Sequence, residues 1–340
     1  MTDRIIVLII GALSLACAPA GRVGEQIHIA EESAIIVWDD TSKTQHFIRR
    51  ASFETRAKDF GFLVPTPTIP KLVEASDSAF DYLEAVIMPP SKGAKAAAAP
   101  APAPATAEVV VVERVEVAGL DAAVLAANDA EALGAWLQAN GYASTPELMH
   151  WASHYVQQGW IITAFKIAAT ETARRLDASA VRMTFKADRP YFPYREPASV
   201  GTPAPRALHV YFLGKERVDG KLGVHDAWPS RPRWSGNLSD SDLAQLVKLL
   251  KLTEPLSPSI RRLTAFYDAS SSRHGREDLY FHTAADQSVL GDFDRTDQRE
   301  EMAGQPERYA SRWYILGGIS LVVIAVIGFA HLTSGSGSKD

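Results

Sequence analysis

The fold is decided by the stretch Ala34-Ile35-Ile36-Val37-Trp38-Asp39-Asp40-Thr41-Ser42-Lys43-Thr44-Gln45-His46-Phe47-Ile48-Arg49-Arg50-Ala51-Ser52-Phe53. Residues 27–37 read as a strand that ends on the apolar run Ile35-Ile36-Val37-Trp38. Asp39-Asp40-Thr41-Ser42 supplies turn chemistry, and residues 44–53 return as a second strand. Successive strand side chains point to opposite faces. Gln45, Phe47, Arg49 and Ala51 therefore share one face, and His46, Ile48, Arg50 and Ser52 the other; the apolar alternation is imperfect on both. Arg49 is a candidate ligand contact, because a guanidinium grips a carboxylate or phosphate through two parallel bonds. Its neighbour Arg50 lies on the opposite face, so the two cannot easily share one ligand.

Working outward, residues 60–64 form a third strand, stopped by Pro65, Pro67 and Pro70. Pro70 then opens a helix over 71–84 with Leu72, Ala75, Ala79, Tyr82 and Leu83 inward. Residues 89–107 are rich in Ala and Pro and read as an extended solvated segment, either a linker or an insertion between neighbouring strands. Residues 108–117 are β-prone, Ala118-Gly119 turns the chain, and 120–127 pair back. A helix over 130–140, capped by Asn128 or Asp129, buries Leu133, Trp136 and Leu137 and ends at Gly141. A second helix, capped by Ser144 or Thr145 with Pro146 in its first turn, runs to Gln158. Further strands are expected at 160–166, 181–186, 207–213, 262–267 and 278–282, with a helix at 240–252 and a mostly irregular stretch around 219–237. Strand clusters interrupted by helices predict an α+β fold, a mixed or antiparallel sheet packed with helices.

Both ends are apolar. Residues 5–16 are too few to span a bilayer and suit a signal-peptide core, with Ala16, Ala18 and Ala20 as small residues for cleavage. Cys17 stands where a lipoprotein cysteine would, although Ser14 departs from the usual pattern, so simple and lipoprotein signals both stay open. Residues 313–332 form a nearly uncharged run of twenty, about 30 Å long as a helix, with Trp313 and Tyr314 suited to the interface. The expected organisation is a signal peptide at 1–20, an extracytoplasmic domain at 21–290 with the insertion at 89–107, and a stalk at 291–312. A transmembrane helix follows at 313–332, contacting the lipid bilayer, then a cytoplasmic tail at 333–340. The expected location is the inner membrane, crossed once, with the main domain extracytoplasmic. Arg308 and Arg312 oppose the positive-inside bias, so the leader carries the orientation.

With 35 Lys+Arg against 40 Asp+Glu there is no basic excess, which argues against a nucleic-acid partner. One cysteine rules out an intramolecular disulfide and a Cys-rich zinc site.

Two blocks carry a family likeness. The first is the Gln45–Phe53 run followed by Asp59-Phe60-Gly61-Phe62-Leu63-Val64-Pro65-Thr66-Pro67. The second is Ala132-Leu133-Gly134-Ala135-Trp136-Leu137-Gln138-Ala139-Asn140-Gly141-Tyr142, then Tyr155, Gly159-Trp160 and Phe165-Lys166. Together they resemble the bacterial domain of unknown function 2330 family over roughly residues 25–285. The resemblance implies an exported protein and no particular reaction.

His150 and His154 lie four apart on one helix face, which is zinc-ligand spacing, but Trp151 stands where a metallopeptidase has its glutamate. No cofactor is expected, and zinc enters only as an alternative. Tyr191, Phe192 and Tyr194, set among prolines, form a candidate aromatic platform for a glycan or a Pro-rich ligand, and an envelope protein or a glycan is the expected partner. The chain has no Gly-x-Ser-x-Gly elbow, dinucleotide fingerprint or P-loop. The expected function is a membrane-anchored extracytoplasmic binding or envelope-structural module. The alternative is an exported hydrolase, metal-dependent through His150 and His154.

Overall fold

The computed structural model describes residues 18–20, 27–55, 59–88, 113–127, 129–142, 144–168, 175–197, 207–270 and 277–291. Along the chain come β1 (Ala18–Ala20), β2 (Ile27–Asp39), β3 (Thr44–Thr55), β4 (Asp59–Thr66), β5 (Lys71–Glu74), α1 (Ser78–Ile87), β6 (Glu113–Val117) and β7 (Leu120–Leu125). Next are α2 (Ala130–Ala139), α3 (Pro146–Val156), β8 (Ile161–Ala168), β9 (Arg175–Lys186), β10 (Tyr191–Phe192), β11 (Ala207–Gly214) and β12 (Val218–Leu222). The last are β13 (Asp226–Ala227), β14 (Pro232–Asn237), α4 (Asp240–Leu249), β15 (Arg262–Asp268) and β16 (Leu279–Thr283).

The strands form a seven-stranded sheet in the order β14-β15-β11-β2-β3-β9-β5, a five-stranded sheet β1-β4-β8-β7-β6, and a four-stranded sheet β10-β16-β12-β13. In the large sheet β11 pairs with β2 in parallel while its other pairings are antiparallel, so the fold is α+β with a mixed sheet. Between the sheets lie Ala34, Ile36, Trp38 and Phe47 of the large one, Phe60, Phe62, Val124 and Phe165 of the five-stranded one, and Val218 and Phe281 of the small one. On its outer face the large sheet packs Ile35, Val37, Ile48 and Leu213 against Phe80 and Leu83 of α1 and Leu246 of α4. The five-stranded sheet covers its outer face with α2 and α3 through Leu133, Leu137, Trp151 and Tyr155. Helices thus coat both outer sides of a stack of sheets. This explains the imperfect alternation of β2 and β3: each is buried on both faces, and each buried large apolar side chain contributes about 1.5–3 kcal/mol.

Local chemistry fixes the helix ends. The Asp129 carboxylate accepts the Ala132 N–H at 2.6 Å, Thr145 caps α3 on Leu148 N–H, and Gly141 takes the left-handed φ of 80° that ends α2. Ser239 and Asp242 form a reciprocal capping box on α4.

Three expectations change. The helix over 71–84 is instead strand β5, then α1. Lys71–Glu74 pairs with β9, Leu72 joins the inter-sheet core, and the Asp77 carboxylate accepts Ala180 N–H at 2.9 Å before α1 begins. Pro65 does not stop β4: it stays in the strand opposite Ile162 of β8, and among the described residues β1 covers β4 only from Gly61 to Leu63. The stretch around 219–237 contains β12, β13 and β14. Gly220 sits inside β12 because a Cβ there would lie 2.6 Å from the Trp228 ring. β1 (Ala18–Ala20) pairs antiparallel with β4.

The leader core at 5–16, the insertion at 89–107, most of the stalk, the apolar run 313–332 and the tail 333–340 lie outside the described residues. Among the described residues no helix is long and apolar enough to cross a membrane.

Candidate functional site

Toward one end of the large sheet, on the face covered by α1 and α4, the apolar stripe gives way to polar side chains. Strand parity explains the change. Ser33 follows the face of Ile35 and Val37, Arg50 that of Ile48, His209 that of Tyr211 and Leu213, and Tyr267 that of Leu263 and Ala265. Register then aligns them. Tyr267 opposes His209, His209 opposes Ser33 across the parallel pair, and Ser33 opposes Arg50. Arg233 joins the row from a bulge in β14 between Pro232 and Trp234, a place where bulges re-aim a side chain. Glu84 and Asp81 enter from α1.

The contacts across this row are uneven. Tyr211 donates its hydroxyl to one oxygen of Glu84 at 2.5 Å, whereas Arg233 Nη2 reaches the other at 3.4 Å. The Arg233 guanidinium lies 5.5 Å from the Tyr267 ring, and its Nε is shut off from water with no hydrogen-bond partner among the described residues. Arg50 Nη1 reaches the Asp77 carbonyl at 3.3 Å and Asp81 at 3.4 Å, with its guanidinium 4.6 Å from the Phe80 ring. The half-buried His209 ring packs edge-on against Tyr267 at 5.0 Å. Burial, then the charge of Arg233, hold the His209 imidazole below its usual value against the opposing pull of Glu84 and Glu31. It is therefore neutral at neutral pH, able to give or accept one hydrogen bond. Burial and the adjacent Glu84 carboxylate push the Tyr211 phenol well up, so it stays a donor. The row is rich in donors.

The residues singled out from sequence lie elsewhere. Arg49 faces the interior between the sheets, where its Nε donates to Glu32 at 2.8 Å and its guanidinium stacks 4.8 Å from the Phe62 ring; the two side chains are 3% and 0% exposed. It is part of a buried ion pair, not a surface ligand contact. The rings of Tyr191, Phe192 and Tyr194 are also buried. Tyr191 donates to the Pro65 carbonyl at 2.7 Å, and Tyr194 to Asp268 at 2.6 Å. They pin their prolyl loop into the core, so no exposed aromatic platform forms. His150 is exposed near the middle of α3, and His154 contacts Gln158 at 3.1 Å. Burial, then Arg195, hold His154 below its ordinary value. Among the described residues no group of three His, Cys, Asp or Glu side chains is placed to hold a metal.

One more buried acid stands near α3. Asp278 accepts the Tyr155 hydroxyl at 2.9 Å and the Arg195 N–H at 3.1 Å, and burial pushes its carboxyl up to about 6. An open groove of about 520 Å³ is lined by Pro67, Ile69, Ile161 and Phe185, with Lys186.

Fold and site together define an α+β protein of stacked sheets between helical layers, with a donor-rich row on its largest sheet. The chain belongs to the family described as uncharacterized protein conserved in bacteria (DUF2330), whose model matches residues 13–277. No curated protein matches it. Among solved structures it is similar to baculovirus P35, at a TM-score of 0.40 and 5% identity over 79% of this chain and 100% of that one. A second similar chain comes from the crystal structure of the caspase-8/P35 complex, at 0.37 and 5% identity over 75% of this chain and 96% of that one. Likeness of this order bears on neither ligand nor partner.

Proposed function

We propose that the protein is a single-pass, membrane-anchored binding module of the bacterial cell envelope. Its body lies outside the inner membrane, and residues 313–332 cross the bilayer. The observation that carries this reading is the pair of apolar runs around the body: residues 5–16, short enough for export, and 313–332, long enough to span. Membership of a bacterial family is consistent with an envelope location. The donor-rich row supports binding as the body's task, with an envelope component as its partner.

A single thiol tests the topology. Ala98 lies in the Ala/Pro-rich insertion, whose composition gives little reason for burial. In a Cys17→Ser background, Ala98→Cys is expected to react with a membrane-impermeant thiol reagent once the outer barrier is opened. Protection until the inner membrane is disrupted would place the body in the cytoplasm and defeat the proposal.

A further inference from the structure

We infer that the row formed by Arg233, Tyr267, His209, Ser33 and Arg50 is a binding site for an oxyanion, a carboxylate or phosphate group held between the two arginines with His209 as its neutral partner. This deepens the binding-module reading and does not depend on the membrane topology.

The argument rests on how the arginines of this protein spend their donors. A guanidinium carries five N–H donors and meets an oxyanion at about 2.7–2.9 Å. Several arginines elsewhere in the body approach that standard, although Arg114 reaches Asp121 only at 3.8 Å. Arg49 meets Glu32 at 2.8 Å, Arg195 meets Glu277 at 2.6 Å, and Arg262 reaches the Ser288 carbonyl at 2.6 Å and Ser235 at 3.0 Å. In the row, Arg233 and Arg50 make only contacts of 3.3 Å or longer to Glu84, Asp77 and Asp81. Glu84 gives its short bond to Tyr211, leaving Arg233 a long one.

Both arginines are partly withdrawn from water, with side chains 19% and 28% exposed, so their unspent donors are only partly satisfied by solvent. A half-buried cation with idle donors is costly unless something occupies it. The Arg233 Nε is shielded and has no partner among the described residues, but so are the Nε atoms of Arg182, Arg195 and Arg217, so it is the long Nη contact to Glu84 that sets Arg233 apart. His209 lies between the two on the sheet and makes no hydrogen bond among the described residues, although both guanidinium groups are close enough to act on its charge. Glu84 and Asp81 formally match the charges of the two arginines, and Glu31 adds a negative charge near His209, so a ligand would be held by the donors and not by a net positive charge, which favours one oxyanion group over a polyanion.

The test uses the full-length chain in detergent with ¹⁵N-labelled histidine, His209 being assigned by its loss in His209→Gln. Inorganic phosphate and acetate are titrated separately at constant ionic strength. Saturable shifts of the His209 ring signals with one or both anions are expected, and the anion that binds tighter identifies the source. Arg233→Gln and Arg50→Gln should each weaken that binding about tenfold or more, while Arg233→Lys, which keeps the charge and loses the fork, should fall between. The other histidine signals report whether each variant is folded. Unmoved His209 signals up to about 20 mM of either anion, an affinity weaker than some 2.3 kcal/mol, would overturn the proposal. So would undiminished binding by a folded Arg233→Gln chain. Failure here leaves the thiol-labelling result standing, and failure of the labelling leaves this site standing.

Discussion

Arg49 and Arg50 are neighbours in sequence and live in different worlds. Arg49 points between the sheets, where Glu32 meets it at 2.8 Å and almost no water reaches either. Arg50 points to the helical side, where its contacts are 3.3 and 3.4 Å and its acidic partner Asp81 is largely exposed. One step along a strand separates a closed interaction from an open one. A buried pair must be complete, because each charge left alone in the interior is heavily penalised. A half-buried row need not be, and its incompleteness is what gives it capacity to bind.

The comparison can be broken first at its closed side. Arg49→Ala removes the 2.8 Å cationic partner of Glu32 from the inter-sheet core and is expected to cost about 3–5 kcal/mol, read by denaturant unfolding. Replacing both partners by apolar residues, Arg49→Met with Glu32→Leu, should recover much of that loss. A single substitution costing under about 1 kcal/mol would mean that the pair is wetter than its geometry shows.

Asp278 extends the comparison to a buried acid held by neutral donors. Its carboxyl titrates near 6 in the fold against 3.8 ordinarily. The raised value means that ionisation is what burial penalises, so the sign is fixed. Stability rises as pH falls from above 6 toward 4, by on the order of 2–3 kcal/mol from this group alone. Asp278→Asn should remove that increment. The measurement is the difference in unfolding free energy between pH 7.5 and 4.5 for the two chains. An identical difference in both would assign the dependence to other groups.

How much of this was legible follows from the range of the interactions. The β2–β3 hairpin could be read because its two strands and turn are contiguous. The caps at Asp129 and Thr145 and the stop at Gly141 could be read because each acts within a few residues. Parity separated Arg49 from Arg50 correctly, but nothing local said which face would be sealed by a second sheet. The Tyr191–Tyr194 loop resembled a platform because the groups that bury it, the Pro65 carbonyl and Asp268, lie far away in the chain. His209 was missed for the same reason. Its period-two relation to Tyr211 and Leu213 is visible in β11, yet its neighbours in the row arrive only through the parallel pairing of β11 with β2 and the bulge in β14.

On the open side, stability effects should be small. Arg50→Ala and Arg233→Ala are each expected to change unfolding free energy by under about 1 kcal/mol, because long, partly hydrated ion contacts contribute little. His209 adds a pH signature opposite to that of Asp278. Its imidazole is held below the ordinary value, so protonating it in the fold is unfavourable, and its contribution to stability declines as pH drops below 6.5. His209→Gln should flatten that part of the profile. A loss of several kcal/mol in Arg233→Ala would show that the row is a structural network like the Arg49 pair.

The smallest effect is expected at His150 and His154. They share a helix face at ligand spacing, but no third ligand stands with them among the described residues, and His154 already contacts Gln158. Two imidazoles on one exposed turn hold a zinc ion weakly, since a structural site closes four positions and a catalytic one uses three protein ligands. The purified full-length chain should therefore carry well under one zinc per molecule by elemental analysis. Treatment with a chelator should leave its unfolding midpoint unchanged, and His150→Ala with His154→Ala should shift stability by no more than about 0.5 kcal/mol. Stoichiometric zinc lost in the double variant would reverse this. It would bring a residue from outside the described segments into the site as a ligand, and would move the centre of function from the open row on the large sheet to α3.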